Sequence, residues 1–193
     1  MNYNELKTLV KDARTTRKFK QDEKVSIQDL KDILDVARIT SSAKNMQPIK
    51  YILVTKEEDV QKLAKTAQWA AHLKDWNQSE DERPSAFIIM LNDKMIDGFP
   101  MFDAGASFTG ISLASKAKGL STCPMASIDK QLCQELFVIP DNFEVMIGIA
   151  IGVGDEKIKL TDAKGADINY YRLEDETHCV PKRKLDQIII GEY

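Results

Sequence analysis

The segment Phe-Asp-Ala-Gly-Ala-Ser-Phe-Thr-Gly-Ile-Ser-Leu-Ala-Ser-Lys-Ala-Lys, residues 102–118, decides how the chain can fold. Small residues dominate it, although each glycine inside a helix costs on the order of 1 kcal/mol relative to alanine. Close packing against a neighbouring surface must compensate for that cost. Gly119 follows directly and suits the position at which a helix ends. The segment therefore predicts a closely packed central helix.

Apolar runs on both sides of this segment predict strands. Ala86–Leu91 precedes it, Val145–Val153 follows it, and Tyr51–Thr55 is a third candidate. Helical spacing of apolar residues predicts further helices, which are Leu6–Ala13, Ser26–Ala37, Val60–Ala67 with an extension to His72, and Asp129–Phe137. The mixture favours an α+β fold, a central sheet wrapped by helices, in one domain over residues 1–193. The apolar tail Leu185–Ile190 needs a docking surface.

Composition excludes several classes of protein. The 193 residues carry a net charge of −3, which argues against a nucleic-acid binder. The longest apolar runs are far shorter than the ~20 residues of a membrane helix, and no targeting segment is visible. Two histidines and three cysteines without metal-ligand spacing argue against a zinc site and favour a reducing, cytoplasmic compartment.

Familiar catalytic motifs are missing as well. The sequence has no P-loop and no G-x-S-x-G motif, and Gly152-Val153-Gly154 is typical of a turn. His72 and His178 are interpreted as surface residues, and Cys123 as a buried small hydrophobe. The polar, aperiodic stretch Lys74–Pro84 predicts a loop that can act as a lid.

Basic residues gather near both ends of the chain, at Arg14–Lys20 and Lys182–Lys184. Two solvated patches are one explanation, and convergence of both ends on a single anion is the other.

Three polar segments stand out from the rest of the chain. They are Ala-Arg-Thr-Thr-Arg-Lys-Phe at 13–19, Thr-Ser-Ser-Ala-Lys-Asn-Met-Gln-Pro at 40–48, and Asp103–Ala106 with Gly119–Ser127 downstream. Guanidinium and hydroxyl groups suit a phosphate monoester. Short hydroxyl and amide side chains suit the polyol and the ring edge of a larger cofactor.

In this order the segments resemble the FMN-dependent nitroreductase family, over nearly the whole chain from Arg14 to about Ile190. Residues 14–19 are similar to the family's R-R-S-x-R-x-F start, and residues 42–48 to its S-x-x-N-x-Q-P loop. Residues 103–105 and 119–123 are similar to its D-x-G…G-L-x-T-C pattern. The chain departs from the pattern at Ala13, where the first arginine stands, and at Ile49, where tryptophan is common.

The resemblance implies a mostly antiparallel sheet and a homodimer with FMN sites at the subunit interface. It implies that the C-terminal tail docks on the partner, and that Gly105 and Gly110 allow close approach there. The implied FMN contacts are Arg14, Thr15, Arg17, Ser41, Ser42, Ala43, Asn45, Gln47, Pro124, Met125, Ala126, Ser127, Arg183 and Lys184. No catalytic acid–base residue and no metal are implied, because the flavin supplies the chemistry.

The family assigns a role to each group. Arg14 and Thr15 would meet the phosphate or ribityl chain, and Arg17 would reach the N1/O2 edge of the ring and tune the flavin. Residues 41–43 would come from the partner subunit. Asn45 and Gln47 would bond the polar edge and the ribityl chain. Residues 124–127 would cover one ring face with a backbone N–H towards N5, and Arg183, with Lys182 or Lys184, would complete the phosphate site.

The implied activity is hydride transfer from NADH or NADPH to a nitroaromatic, quinone or similar small acceptor, with ping-pong kinetics. Three alternatives stay open. One is a flavoenzyme of the same fold with another reaction, such as enone reduction or reductive dehalogenation, and the second is a non-catalytic flavin-binding protein. A protein-interaction domain would explain the small-residue helix but not the three polar segments.

Overall fold

The computed structural model describes residues 1–73 and 76–193. Contacts divide the chain into two units, Met1–Trp69 with Gln78–Asp155 and Ala70–Asn77 with Glu156–Tyr193. One domain over residues 1–193 stays a prediction. Within the described ranges, no helix is both long enough and apolar enough to cross a membrane.

A four-stranded antiparallel sheet forms the centre of the first unit. Its strands are β1 (Ile49–Val54), β2 (Ala86–Asp93), β3 (Ser121–Met125) and β4 (Phe143–Gly152). They lie in the order β1-β2-β4-β3, so β1 and β3 are the edges of the sheet. Every neighbouring pair is antiparallel. The three predicted strands are therefore confirmed.

Helices cover both faces of this sheet. They are α1 (Tyr3–Asp12), α2 (Ile27–Arg38), α3 (Glu57–Thr66), α4 (Pro100–Ala117) and α5 (Lys130–Phe137). Phe87 and Ile89 of β2 pack with α3 and α5, whereas Ile88 and Met90 pack with α2 and α4. Successive side chains of a strand point to opposite faces, so burial on both faces explains the continuous apolar run. The α+β prediction is confirmed.

Helix α2 is defined by its own sequence. The Ser26 side chain accepts a hydrogen bond from the Asp29 backbone N–H at 3.1 Å, and the Asp29 carboxylate accepts one from Ser26 N–H at 3.1 Å. This reciprocal pair satisfies two donors that the first helical turn leaves open. The helix ends at Arg38, and the Thr40 hydroxyl donates to the Ala37 carbonyl at 2.7 Å. Both predicted ends are confirmed.

Helix α3 is shorter than its apolar spacing predicts. It ends at Thr66 rather than His72, and Ala67 has extended backbone angles. The indole N–H of Trp69 donates to the Ala64 carbonyl at 3.0 Å. This side chain takes the place of the next backbone donor, so the chain turns away from the helix axis.

Helix α4 confirms the prediction for residues 102–118, and Gly119 ends it with a φ of +78°. A Cβ added to Gly110 would lie 2.9 Å from Thr40 Cγ2 and 3.2 Å from Ala37 Cα. The close approach that Gly110 allows is therefore between α4 and α2 of one chain, not between subunits. Among the described residues, and apart from the backbone of its own helix, a Cβ on Gly105 would meet no atom within 4 Å.

Replacement of Gly110 by alanine is expected to lower the free energy of unfolding by about 1–2 kcal/mol, because overpacking at the α2 backbone outweighs the gain in helix propensity. Thr40→Ser removes the Cγ2 methyl group that the added Cβ would contact, and it keeps the hydroxyl that donates to Ala37. The double variant Gly110→Ala/Thr40→Ser should therefore recover part of the loss in urea unfolding followed by circular dichroism. Equal losses in the single and double variants would contradict the assigned contact.

The second unit contains a three-stranded sheet. Its strands are β5 (Ile158–Asp162), β6 (Tyr171–Arg172) and β7 (His178–Lys182), in the order β5-β7-β6. The interpretation of His178 as a surface residue in a polar loop is wrong. His178 begins β7 and is 0% exposed, with Nδ1 3.8 Å from Glu156 Oε1. Burial beside a carboxylate, which the local sequence does not reveal, accounts for the difference.

Two further predictions concern loops. Of the predicted loop Lys74–Pro84, residues 74 and 75 lie outside the described residues, and Glu80–Glu82 forms a short 3-10 turn. A lid function for this loop stays a prediction. The apolar tail is exposed in the single chain, with Leu185 at 69%, Ile188 at 59% and Ile190 at 94%. Its docking on a partner also stays a prediction.

Candidate functional site

Residues 15 and 16 lie beside the edge strand β3, and residues 18–20 lie beside the chain that follows β4. Thr15 and Thr122 form a parallel bridge, and the backbone N–H of Thr16 donates to the Thr122 carbonyl at 3.0 Å. Phe19, 1% exposed, anchors the segment in the core. Two predicted groups, the N-terminal basic segment and the chain that leaves β3, are thereby neighbours.

Arg17 is held firmly in this region. It is 8% exposed, and its Nε donates to the Trp69 carbonyl at 2.7 Å. The Ser127 hydroxyl donates to the neighbouring Gln68 carbonyl at 3.1 Å. Because Arg17 and Ser127 bind adjacent carbonyls, the structure brings one set of predicted residues together. We call this set the arginine cluster; it comprises Arg14, Thr15, Arg17, Pro124, Met125, Ala126 and Ser127.

Two members of the arginine cluster differ from their expected roles in detail. The Arg14 guanidinium donates to the carbonyls of Ala13 at 2.9 Å and Val10 at 2.6 Å, at the end of α1. These bonds use two of its five N–H donors. Met125 is 4% exposed and packs in the core, so a contact with a ring would involve its backbone.

Residues 41–47, which we call the 41–47 loop, lead into β1. The Ser42 hydroxyl donates to Asp103 Oδ2 at 2.8 Å, and the Ala43 backbone N–H donates to Asp103 Oδ1 at 2.7 Å. Lys44, Asn45 and Gln47 have φ angles of 51°, 57° and 54°. Left-handed conformations of non-glycine residues cost about 1–3 kcal/mol each and concentrate at ligand sites. The loop is therefore a strained segment held by one buried carboxylate.

The 41–47 loop and the arginine cluster lie at opposite edges of the sheet. The loop precedes β1 and the cluster flanks β3, and these edges are roughly 14 Å apart across three strand spacings. The two groups also differ in their position along the strands. Ile49 of β1 pairs with Asn92 of β2, which pairs with Glu144 near the start of β4. Thr122 of β3 pairs with Ile151, near the end of β4. One chain thus does not bring the two groups of predicted residues together.

A cavity of about 200 Å³ lies beside the 41–47 loop. Its polar lining includes Ser41, Gln47, Tyr51, Asp103 and Ser107. The Tyr51 hydroxyl is hydrogen-bonded to the Ser107 hydroxyl, and burial raises the pKa of Tyr51 while this bond opposes the rise. The sequence analysis gave Tyr51, Asp103 and Ser107 no role in binding. The available signal was the carboxylate Asp103, which begins the D-x-G motif in a helix of small residues.

Arg183 and Lys184 belong to the second unit and are exposed. The Lys184 ammonium lies 3.9 Å from Asp162 Oδ2. Their predicted contact with a phosphate stays a prediction.

Comparison with known proteins identifies the family. The family model described as "Nitroreductase family" matches residues 10–154. The chain belongs to the nitroreductase family. This confirms the resemblance found in the sequence and supports a general oxidoreductase function.

Individual relatives agree with this membership. "Putative NAD(P)H nitroreductase MhqN" of Bacillus subtilis strain 168 is 23% identical over an alignment of 185 residues, which covers 75% of this chain and 86% of the relative. The structure of the nitroreductase family protein from Streptococcus pneumoniae TIGR4 matches with a TM-score of 0.71 at 19% identity, over 97% of this chain and 100% of that one. A nitroreductase family protein of Clostridium difficile 630 matches with a TM-score of 0.62 at 26% identity, over 81% and 86%.

The donor set of this nitroreductase-family chain fits FMN. The arginine cluster provides a buried, fixed cation at Arg17 and a further guanidinium at Arg14, and such groups bind phosphates and anionic ring edges. The 41–47 loop exposes the hydroxyl of Ser41 and the amide of Asn45. These are the polar groups that a polyol chain and a flavin edge require.

Proposed function

We propose that this protein is a cytoplasmic, homodimeric, FMN-dependent NAD(P)H oxidoreductase that reduces nitroaromatic, quinone or similar small acceptors. The observation that carries the proposal is the division of the candidate FMN residues, in a chain of the nitroreductase family, between opposite edges of one sheet. Two copies of the chain join the 41–47 loop of one protomer to the arginine cluster of its partner. The three cysteines, all buried and none of them in a disulfide, fit a reducing compartment.

In this proposal the protein binds and orients, and the cofactor reacts. The chemistry that FMN supplies when bound is the acceptance of a hydride at N5 from NADH or NADPH, followed by its transfer to the acceptor. Arg17 places a fixed positive charge at the N1/O2 edge, where negative charge develops on reduction. Residues 124–127 would lie against one ring face, and Arg14 would bind the phosphate. A phosphate contact of Arg183 and Lys184 stays a prediction.

Exposed apolar side chains support the homodimer. At the start of α4, Phe99 is 59%, Met101 80% and Phe102 65% exposed, and the tail Leu185–Ile190 adds further apolar surface. Exposed apolar side chains such as those at the start of α4, and separately those of the tail, commonly mark an interface in soluble proteins. Because a two-fold interface uses the same patch on both subunits, one surface suffices for two equivalent sites.

The experiment is the visible spectrum of the purified protein, followed by turnover. We expect a yellow dimer that loses its colour with NADH or NADPH under anaerobic conditions and regains it with a nitroaromatic or quinone. A preparation that stays colourless after incubation with FMN would contradict the proposal. Bound FMN without reduction by either nucleotide would instead indicate a non-catalytic flavin-binding protein, and a monomer by sedimentation would refute the shared site.

A further inference from the structure

Asp103 is a buried carboxylate to which the sequence assigned no function. It lies in the first turn of α4 and is 3% exposed. Its two oxygens accept from two groups of the 41–47 loop, Oδ2 from the Ser42 hydroxyl at 2.8 Å and Oδ1 from the Ala43 backbone N–H at 2.7 Å. Hydrogen bonds to an ionised acceptor are stronger and shorter than neutral ones. One side chain thus connects the most buried helix of the unit to the loop.

The hydrogen bonds through Ser42 have a fixed direction. The Gln47 backbone N–H donates to the Ser42 hydroxyl oxygen at 2.9 Å, and that hydroxyl donates onward to Asp103. A serine hydroxyl has one proton to donate, and here it is donated to the Asp103 carboxylate, which can only accept. Ser42 therefore has no proton to donate to a ligand.

These bonds enclose the strained part of the loop. Ser42 and Gln47 bracket Lys44 and Asn45, and three of the four residues 44–47 have positive φ. The Gln47 side-chain amide in turn donates to Asn45 Oδ1 at 3.1 Å. Backbone in this region persists only where surrounding contacts over-determine it. The relay from Gln47 through Ser42 to Asp103 provides that constraint.

We propose that Asp103 is a positioning residue for the FMN site: through Ser42 and Ala43 it holds the 41–47 loop in the left-handed conformation that presents Ser41 and Asn45 to the cofactor. Ser42 then acts through the shape of the loop rather than as a hydrogen-bond donor to FMN. This inference rests on the proposed function. Asp103 would act on the FMN site only through the loop. Ser42, an expected FMN contact, would shape the loop instead.

The test compares Asp103→Asn and Ser42→Ala with Ser115→Ala. Asparagine keeps the size of Asp103 but removes its charge and donates towards Ser42 instead of accepting. Ser115→Ala is the matched control, because Ser115 is a buried polar residue about three turns further along α4, 0% exposed, and does not line the cavity beside the loop. If Asp103→Asn fails to fold, Ser42→Ala tests the same relay without a change in α4.

Two quantities are measured for each variant. The first is amide hydrogen exchange of Ala43 and Gln47 in FMN-free protein, which should become roughly 10- to 100-fold faster in both relay variants, the range expected for a lost charge-assisted hydrogen bond. The second is the Kd for FMN, which should rise about tenfold or more because the loop is no longer preorganised. The Ser115→Ala control should change neither quantity in this way.

The outcomes separate the inference from the function on which it rests. Unchanged exchange in the relay variants overturns the positioning role. Faster exchange with unchanged FMN affinity, in a protein that binds FMN, also overturns it and leaves the proposed function intact. A wild-type protein that binds no FMN overturns the proposed function, and the positioning role falls with it.

Discussion

Replacement of Arg17 by alanine is expected to lower the reduction potential of the bound flavin by about 60 mV, while the affinity for oxidised FMN changes less. A charge-assisted hydrogen bond contributes about 1.5–3 kcal/mol, and a roughly 100-fold preference for the reduced form corresponds to about 60 mV in a two-electron couple. Arg17 suits this role because it is 8% exposed and its Nε is fixed by the Trp69 carbonyl at 2.7 Å. Spectroelectrochemical titration measures the shift.

The control for this variant is Arg17→Lys, which keeps the positive charge and loses the planar donor group. It should recover most of the potential. An unchanged potential in Arg17→Ala would refute the electrostatic role, and equal weakening of oxidised and reduced FMN would indicate a purely structural one.

Replacement of Arg172 by methionine should destabilise the second unit by about 3–5 kcal/mol, because it removes one partner of a buried ion pair. Arg172 Nη2 lies 2.6 Å from Glu156 Oε1, and the two side chains are 10% and 1% exposed. The guanidinium also lies 4.6 Å from the Trp76 ring centroid, where cation–π attraction adds to the loss. Hydrogen exchange of the β7 amides reports the stability of this unit.

The neighbouring ion pair of Lys157 and Asp175 provides the control. Its N–O distance is 3.2 Å, within salt-bridge range, and its side chains are 74% and 59% exposed. Lys157→Met should therefore change stability by less than about 1 kcal/mol. Similar effects in both variants would show that burial does not govern the Arg172 interaction. The double variant Arg172→Met/Glu156→Leu should recover much of the loss, since it buries no lone charge.

The sequence predicted candidate residues for the site but not how the fold arranges them. Sequence motifs located Arg14–Arg17, residues 41–47 and residues 124–127 because each motif is contiguous. The bond that fixes the loop joins Ser42 to Asp103, 61 residues apart. No local pattern reports such a pairing, and the same holds for the placement of the loop and the arginine cluster at opposite sheet edges.

The sequence by itself determined the elements whose causes are local. The capping pair of Ser26 and Asp29, the glycine at 119 and the apolar run of β2 each act within a few residues or one strand, so their helices and strand follow from the chain alone. Only the tertiary structure decided which surfaces meet. It alone placed Gly110 against α2 and buried His178 beside Glu156.

The physical reason is clearest for residues 102–118. The small residues of this segment require close packing against some neighbouring element. The sequence therefore predicts the helix but not the element against which it packs. The partner is set by the sheet order β1-β2-β4-β3 and by side chains far away in the chain. Local free energies thus determine the secondary structure, whereas long-range packing determines the site.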